Sequence, residues 1–320
     1  MAPLGAHAAV CDQWTGATSD AWGVGSNWSA GVPTARTPVC ISTGAQRTRI
    51  DVTGKAIAAT AALGAHTQLA LESGAKLRVV GRLRIRGMLT FASSSALVRT
   101  PMARIDHGGS MFGVGVVQGS VVNAGTVFAA DGGTGAAFRI SAEYRQLCSG
   151  VLFSRDEAGR FVQLHAGSAS LRGRIDLLIE DALVPGSKYA VVDAARLQGQ
   201  FAHLPPGYVM HYTHGVVSAV VTPVIKLGRF HVGQGKRVAV FGASFGNLGV
   251  VRFHLDGRNG PLLGSAYVNS VGGFEGFAHI PLGTSPGRHV LVAIKPHFGY
   301  VARAAFKVGP GAPSRPGDRG

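Results

Sequence analysis

Between Lys76 and Phe91 the chain alternates with a period of two. Leu77, Val79, Leu83, Ile85, Leu89 and Phe91 are apolar, whereas Lys76, Arg78, Arg82, Arg84 and Arg86 are basic. Successive side chains of an extended strand point to opposite faces, so this pattern prescribes strands with one buried and one solvated face. A helix would need apolar residues three and four apart, and that spacing is nearly absent from the chain. Short alternating runs continue through Ala96–Val98, Val114–Val117, Val121–Val122, Val127–Ala129, Phe138–Ile140, Val151–Phe153 and Leu171–Ile179. Small residues fall repeatedly where each run ends.

Strands this short, broken this often by glycine over more than 100 residues, predict a parallel β-helix: coils of about 20 residues, each giving two or three strands, with inward positions stacked into one apolar column. A sandwich is the competing architecture. Composition fits an all-β chain. Glycine supplies 47 of 320 residues, and charged residues are 15% of the chain against a usual ~25%. An apolar content of 46% excludes disorder.

From Pro223 the runs lengthen, as in Arg237–Phe241, Val250–Leu255, His289–Ile294 and Ala304–Val308, with turn signals at Asp256-Gly257 and Pro286-Gly287. This is the size and texture of an immunoglobulin-like β-sandwich. The expected organisation is a Trp-rich cap at 1–54, a right-handed β-helix with a closing segment at 55–222, an Ig-like sandwich at 223–308 and a tail at 309–320 lacking apolar periodicity.

Cys11 and Cys40 bracket a cap with little aliphatic content, where a disulfide would help most; two unrelated thiols are the alternative. Cys148, among Leu147, Val151 and Leu152, reads as a buried, inert thiol. No run reaches the ~18 apolar residues of a membrane span. Met1–Val10 lacks the parts of a complete signal peptide, although Ala6-His7-Ala8 has the small-x-small form of a cleavage site. The expected location is secreted or at the cell surface.

The segments Trp14-Thr15-Gly16, Asp20-Ala21-Trp22, Asn27-Trp28-Ser29, Val32-Pro33 and Val39-Cys40-Ile41 resemble the opening of secreted bacterial β-helix proteins, autotransporter-passenger-like ones included. Asn123 with Gly125-Thr126, Tyr144-Arg145-Gln146 before Gly150, Leu171–Ile175, and Gly186–Tyr189 through Gly199–Phe201 are similar to rungs and a closing segment of that class. Gly235, Val238–Val240, Gly242, Phe245, Gly272–Phe274, Ile280-Pro281 and Gly287–His289 resemble Ig-like or IPT-type modules of secreted actinobacterial proteins. Both resemblances imply exported, surface-associated proteins without a catalytic constellation.

The candidate ligand-binding residues are Lys76, Arg78, Arg82, Arg84 and Arg86, five like charges on one predicted face of a chain with net charge +15. Such a face would attract an anionic polysaccharide, a wall polymer or extracellular DNA; a merely solvated face is the alternative. Trp14, Trp22 and Trp28 offer either a sugar platform or a hydrophobic plug. Gly242-Ala243-Ser244-Phe245-Gly246 matches the nucleophile-elbow spacing, with Asp256 and His279 as partners, but no helical pattern follows it. His211 and His214 lie on opposite faces of a strand, which makes a metal site unfavourable. Asn27-Trp28-Ser29 is formally a glycosylation sequon. No cofactor or metal is called for. The expectation is a non-catalytic binding or adhesion module. The competing class is a polysaccharide lyase or glycoside hydrolase using two of Asp106, Asp131, Asp156, Glu157, Asp176, Glu180 and Asp181 in a solenoid groove.

Overall fold

The computed structural model describes residues 11–42, 47–130, 134–157, 160–178 and 183–309. Among them there is no α-helix; two short 3-10 turns, Gly25–Asn27 and Pro296–Phe298, interrupt an all-β chain. The predicted tail lies outside the described residues apart from Gly309.

The first unit is a β-solenoid of about six turns. Its strands form three faces, whose members pair in parallel with their counterparts one coil away; Arg160–Phe161 is an exception, pairing antiparallel with the end of Val151–Glu157. Lys55–Ala58, Lys76–Val79 and the first halves of Leu97–Ile105, Val116–Asn123, Phe138–Gln146 and Leu164–Leu171 build the first face. Pro38–Ile41, Thr60–Leu63, Arg82–Ile85 and the second halves of those long strands build the second. Thr48–Val52, Thr67–Leu71, Met88–Phe91, Ser110–Gly113, Thr126–Ala129, Val151–Glu157 and Arg174–Leu178 build the third.

The period-two pattern explains the interior. Ile41, Leu63, Ile85 and Ile105 occupy one inward column in register, each at most 1% exposed. The same column continues as Asn123 and Gln146, which are equally buried. They are tolerated because they are hydrogen-bonded. Asn123 Nδ2 donates to Val151 O and the Tyr144 hydroxyl, both at 3.1 Å, and Asn123 Oδ1 accepts from Gly125 N–H. Gln146 Nε2 donates to the carbonyls of Gly150, Arg172 and Arg174, and the Tyr144 hydroxyl donates to Gln146 Oε1 at 2.6 Å. These amides tie together carbonyls of successive coils at the corner between the second and third faces.

The cap is a plug. Trp14 and Trp22 pack edge-on against Trp28, with ring centroids 4.9 and 4.7 Å apart, and all three indoles are 2–4% exposed. Cys11 and Cys40 form the expected disulfide, with Cα atoms 5.6 Å apart, next to the Asp12–Val39 and Gln13–Cys40 parallel pairing. Pro38–Ile41 and Thr48–Val52 already pair with the following coil, so rungs begin within the segment expected to be cap. Asn27 corrects the sequon reading. Its amide is fully buried and used internally, accepting from Thr18 and Ser19 N–H and donating to Ser19 Oγ and Ala21 O.

The solenoid unit runs through Leu178 and includes Tyr189–Pro205 and Met210–Ser218; the second unit takes segments 183–188 and 206–209 and the chain from Ala219 onward. The second unit holds a three-stranded antiparallel sheet, in the order Val224–Leu227, Arg237–Ala243, Phe274–His279. A five-stranded sheet runs His231–Val232, Tyr300–Val308, Gly287–Lys295, Gly249–Leu255, Leu262–Val268. Both sheets feed one core around Val240, Phe245, Phe253, Phe274, Leu291 and Phe306.

Candidate functional site

Parallel pairing turns sequence alternation into columns, because residues one coil apart stack in register about 4.8 Å from each other. On the first face Lys55 lies in register with Lys76, and Lys76 with Leu97. Beside them Ile57 pairs with Arg78, Arg78 with Arg99, and Arg99 with Gln118. Lys55, Lys76, Arg78 and Arg99 are exposed, whereas Ile57 and Leu97 are half-buried between them. Two adjoining cavities, of ≈ 400 Å³ and ≈ 600 Å³, open along these columns and share Arg78, Arg99 and Gln118. No carboxylate lines either.

Two like charges 4 Å apart in bulk water repel by about 1 kcal/mol, which a solvated face sustains and an anion would relieve. Among the described residues none of these four cations makes an ion pair.

The five predicted basic residues do not share one face. The corner at Val80-Gly81 separates Lys76 and Arg78 on the first face from Arg82 and Arg84 on the second, and Arg86 follows the second strand. Arg84 and Arg86 converge with Arg104 on Asp106; Arg104 Nε lies 2.9 Å from Oδ1 and Arg86 Nε 3.4 Å from Oδ2. Partial burial pushes the Asp106 carboxyl up, but hydrogen bonds from Arg84, Arg104 and Arg86 outweigh it and hold it below the ordinary value. In this part of the stripe three guanidiniums therefore share one carboxylate, which offsets a third of their charge. Arg82 pairs in register with Met102. Sequence reasoning missed Lys55 and Arg99. The signal was the even spacing of positions 55 and 76, and of 57, 78 and 99, which becomes visible once the coil length is known.

The sugar-platform reading of Trp14, Trp22 and Trp28 is corrected by their burial, since no indole face reaches solvent. Cys148 is exposed rather than buried, on the turn after Phe138–Gln146, where Gln146 and Gly150 take the inward slots. Ser244 is 8% exposed at the end of a strand with no helix after it, so the nucleophile elbow is absent. His211 and His214 are exposed, and among the described residues no three His, Cys, Asp or Glu side chains cluster as metal ligands. Of the candidate solenoid acids, Asp131, Glu180 and Asp181 lie outside the described residues, as do the side chains of Asp156 and Glu157. Asp176 faces Arg174 at 2.7 Å. Asp51 and Glu72 are brought near one another, with Arg49 between them at 2.6 and 2.9 Å.

Asp256 pairs with His289 instead of His279. His289 Nδ1–H donates to Asp256 Oδ2 and Nε2–H to Ser285 O, both at 2.7 Å, while Val290 N–H donates to Asp256 Oδ1. Both ring nitrogens face acceptors, so the imidazolium fits the site and neither nitrogen is free to act as a base. The Asp256 hydrogen bond raises the His289 pKa against the opposing effect of burial. For Asp256, burial is outweighed by the Val290 and His289 hydrogen bonds, which lower its pKa. The His289 contribution to stability is complete below its unfolded pKa near ~6.5 and is lost as pH rises through the higher folded value. The Asp256 contribution is complete above ~3.9 and lost as pH falls. The second unit is expected to melt at higher temperature at pH 5.5 than at pH 8.5. In His289→Gln that difference should shrink, as calorimetry at the two pH values will read; an unchanged difference would reject the pairing as its source.

A family model described as "Domain of unknown function (DUF8693)" matches residues 13–111, a span that includes the Trp plug, Cys40 and the Lys55–Arg99 columns. No curated protein matches the chain. Among solved structures it is similar to chitinase ChiW from Paenibacillus sp. str. FPU-7, described as a bacterial cell-surface-expressed multi-modular enzyme machinery, at 11% identity and a TM-score of 0.19. That likeness covers 84% of this chain, which spans 23% of the length of the chitinase.

Proposed function

We propose that this chain is a non-catalytic, exported surface module that binds anionic polymers on the first face of its solenoid. The observation that carries the reading is the in-register stacking of Lys55 with Lys76 and of Arg78 with Arg99, exposed, without a counter-ion among the described residues, over a half-buried aliphatic floor. Guanidinium pairs recognise carboxylate and phosphate or sulfate oxygens through charge-assisted, bidentate hydrogen bonds. A disulfide beside the cap, and the lack of any helix long and apolar enough to cross a membrane among the described residues, are compatible with an extracellular protein. We read the solenoid as right-handed and similar to autotransporter passengers. The second unit we read as Ig-like, supported by three- and five-stranded sheets sharing one core. The competing glycosidase or lyase reading needs two carboxyls free to act across one groove. Asp51, Glu72, Asp106, Glu143 and Asp176 each face a guanidinium, which favours the binding module.

Binding to immobilised acidic polysaccharide, wall polyphosphate, DNA and neutral glycan across a salt series tests this. Arg78→Ser with Arg99→Ser is expected to weaken polyanion binding at least about tenfold and to flatten the log–log salt slope by roughly 1.5, at ~0.7–0.9 per lost contact. Arg84→Ser, whose partner is Asp106, should change binding less. Salt-insensitive binding, or a double variant that binds like the parent, would overturn the proposal.

A further inference from the structure

The first-face column does not stop at Leu97. Leu97 pairs in register with Val116, Val116 with Arg139, Arg139 with His165, and His165 with Asp193. Read along the solenoid, one outward position per coil is therefore Lys55, Lys76, Leu97, Val116, Arg139, His165 and Asp193. Arg139 is exposed and, among the described residues, makes no ion pair. It lines a further cavity of ≈ 530 Å³ together with Val116 and His165. Asp193 ends the cationic run, its Oδ2 3.7 Å from His165 Nδ1. Burial pushes His165 below its ordinary value; Asp193 opposes that shift and Arg139 adds to it. The cationic track thus begins at Lys55 and ends at Arg139, and beyond it a carboxylate repels anions.

Resting on the polyanion reading above, we infer that the ligand is a linear acidic polysaccharide lying lengthwise on the first face, parallel to the solenoid axis, with one sugar per coil from Lys55 to Arg139. Four inter-coil steps of about 4.8 Å give a track of about 19 Å, the length of roughly four to five extended sugars. Arg78 and Arg99 form the second column and flank the chain. Leu97 and Val116, half-buried at the middle of the track, offer C–H surface to pyranose rings rather than charge. Among the described residues no aromatic side chain stands on either column between Lys55 and Arg139, so unstacked nucleobases would find no ring on that track on which to lie. That favours a sugar chain over a single-stranded nucleic acid. The anionic group is a carboxylate or a sulfate, since a guanidinium receives either.

The experiment is a length series. Size-fractionated oligogalacturonates of two to eight residues, sulfated oligosaccharides of the same lengths, and oligothymidylates of matched charge are titrated against the full chain by calorimetry. Affinity for one of the sugar series is expected to climb with length to about five residues and then level off, because further sugars pass beyond Arg139. Arg139→Ser should lower affinity for the pentamer and longer chains about tenfold while leaving the dimer and trimer within about twofold, since those are held by Lys76, Arg78 and Arg99. Arg145→Ser, on the second face and paired with Glu143, is the control and should change neither. Affinity that keeps rising past eight sugars, or an Arg139→Ser loss equal at all lengths, would overturn the lengthwise placement while leaving polyanion binding standing. Tighter binding of oligothymidylate than of either sugar series would overturn the choice of polysaccharide. If no anion in the panel binds, the functional proposal itself falls.

Discussion

Gly125→Val is expected to destabilise the solenoid by about 3 kcal/mol or more, the upper range for a core insertion that the surroundings cannot accommodate. A Cβ at Gly125 would lie 2.2 Å from Gly109 O and 2.4 Å from Asp106 O, both backbone atoms of the coil below. Those carbonyls cannot swing aside, because Gly109 O accepts Thr126 N–H at 3.0 Å and Asp106 O accepts Gly109 N–H at 2.9 Å. The two coils must separate at this corner, and the inter-coil bonds around it weaken with them. Gly87, Gly109, Gly150 and Gly173 occupy the same kind of corner, with backbone carbonyls 2.2–2.5 Å from the position of a Cβ. A solenoid is stabilised by nearest-neighbour interfaces, so the loss should reach both coils that Gly125 touches. Gly54→Ala is the control; it meets no atom within 4 Å and should stay within about 0.5 kcal/mol of the parent. Urea unfolding followed by far-ultraviolet circular dichroism reads both. Equal midpoints for the two variants would remove the close-approach argument.

Removing the Cys11–Cys40 disulfide as a double Ser variant is expected to cost about 3 to 4 kcal/mol, the chain-entropy value for closing a loop with a sequence separation of 29. The loss falls on the cap, whose interior is mainly three indoles rather than an aliphatic core. The chain has three Trp residues, and all of them are in this plug. Intrinsic Trp fluorescence therefore reports the cap, while circular dichroism is dominated by the strands that follow. In the double Ser variant the fluorescence transition should move to lower denaturant and precede the dichroism transition. Cys148→Ser serves as the background for both proteins, because that exposed thiol could otherwise exchange with the bridge. Coincident transitions at the parent's midpoint would show that the plug holds without its staple.

The solenoid was legible because burial on one side of a strand writes itself into every second residue. Leu77, Val79, Leu83 and Ile85 are inside for the reason their positions suggest, and each is at most 1% exposed. The disulfide was legible from its setting, a segment poor in aliphatic residues bracketed by two cysteines. Asn123, Tyr144 and Gln146 were visible only as pieces of rung-like motifs. Their role as a buried bonding chain depends on carbonyls supplied by residues one coil away.

Alternation in the sequence determined which residues face solvent, and the spacing of small residues determined where strands end, since both are local consequences of strand geometry and backbone crowding. Which exposed charges become neighbours was decided by the coil register, a property of pairing between segments far apart in the chain. That register divided the basic run between Lys76 and Arg86 across a corner, gave Arg84 and Arg86 to Asp106, and set Arg78 beside Arg99 and Lys76 beside Lys55. Electrostatics depends on distance in space, and in a solenoid the nearest charge is as often one coil away as two residues along the strand.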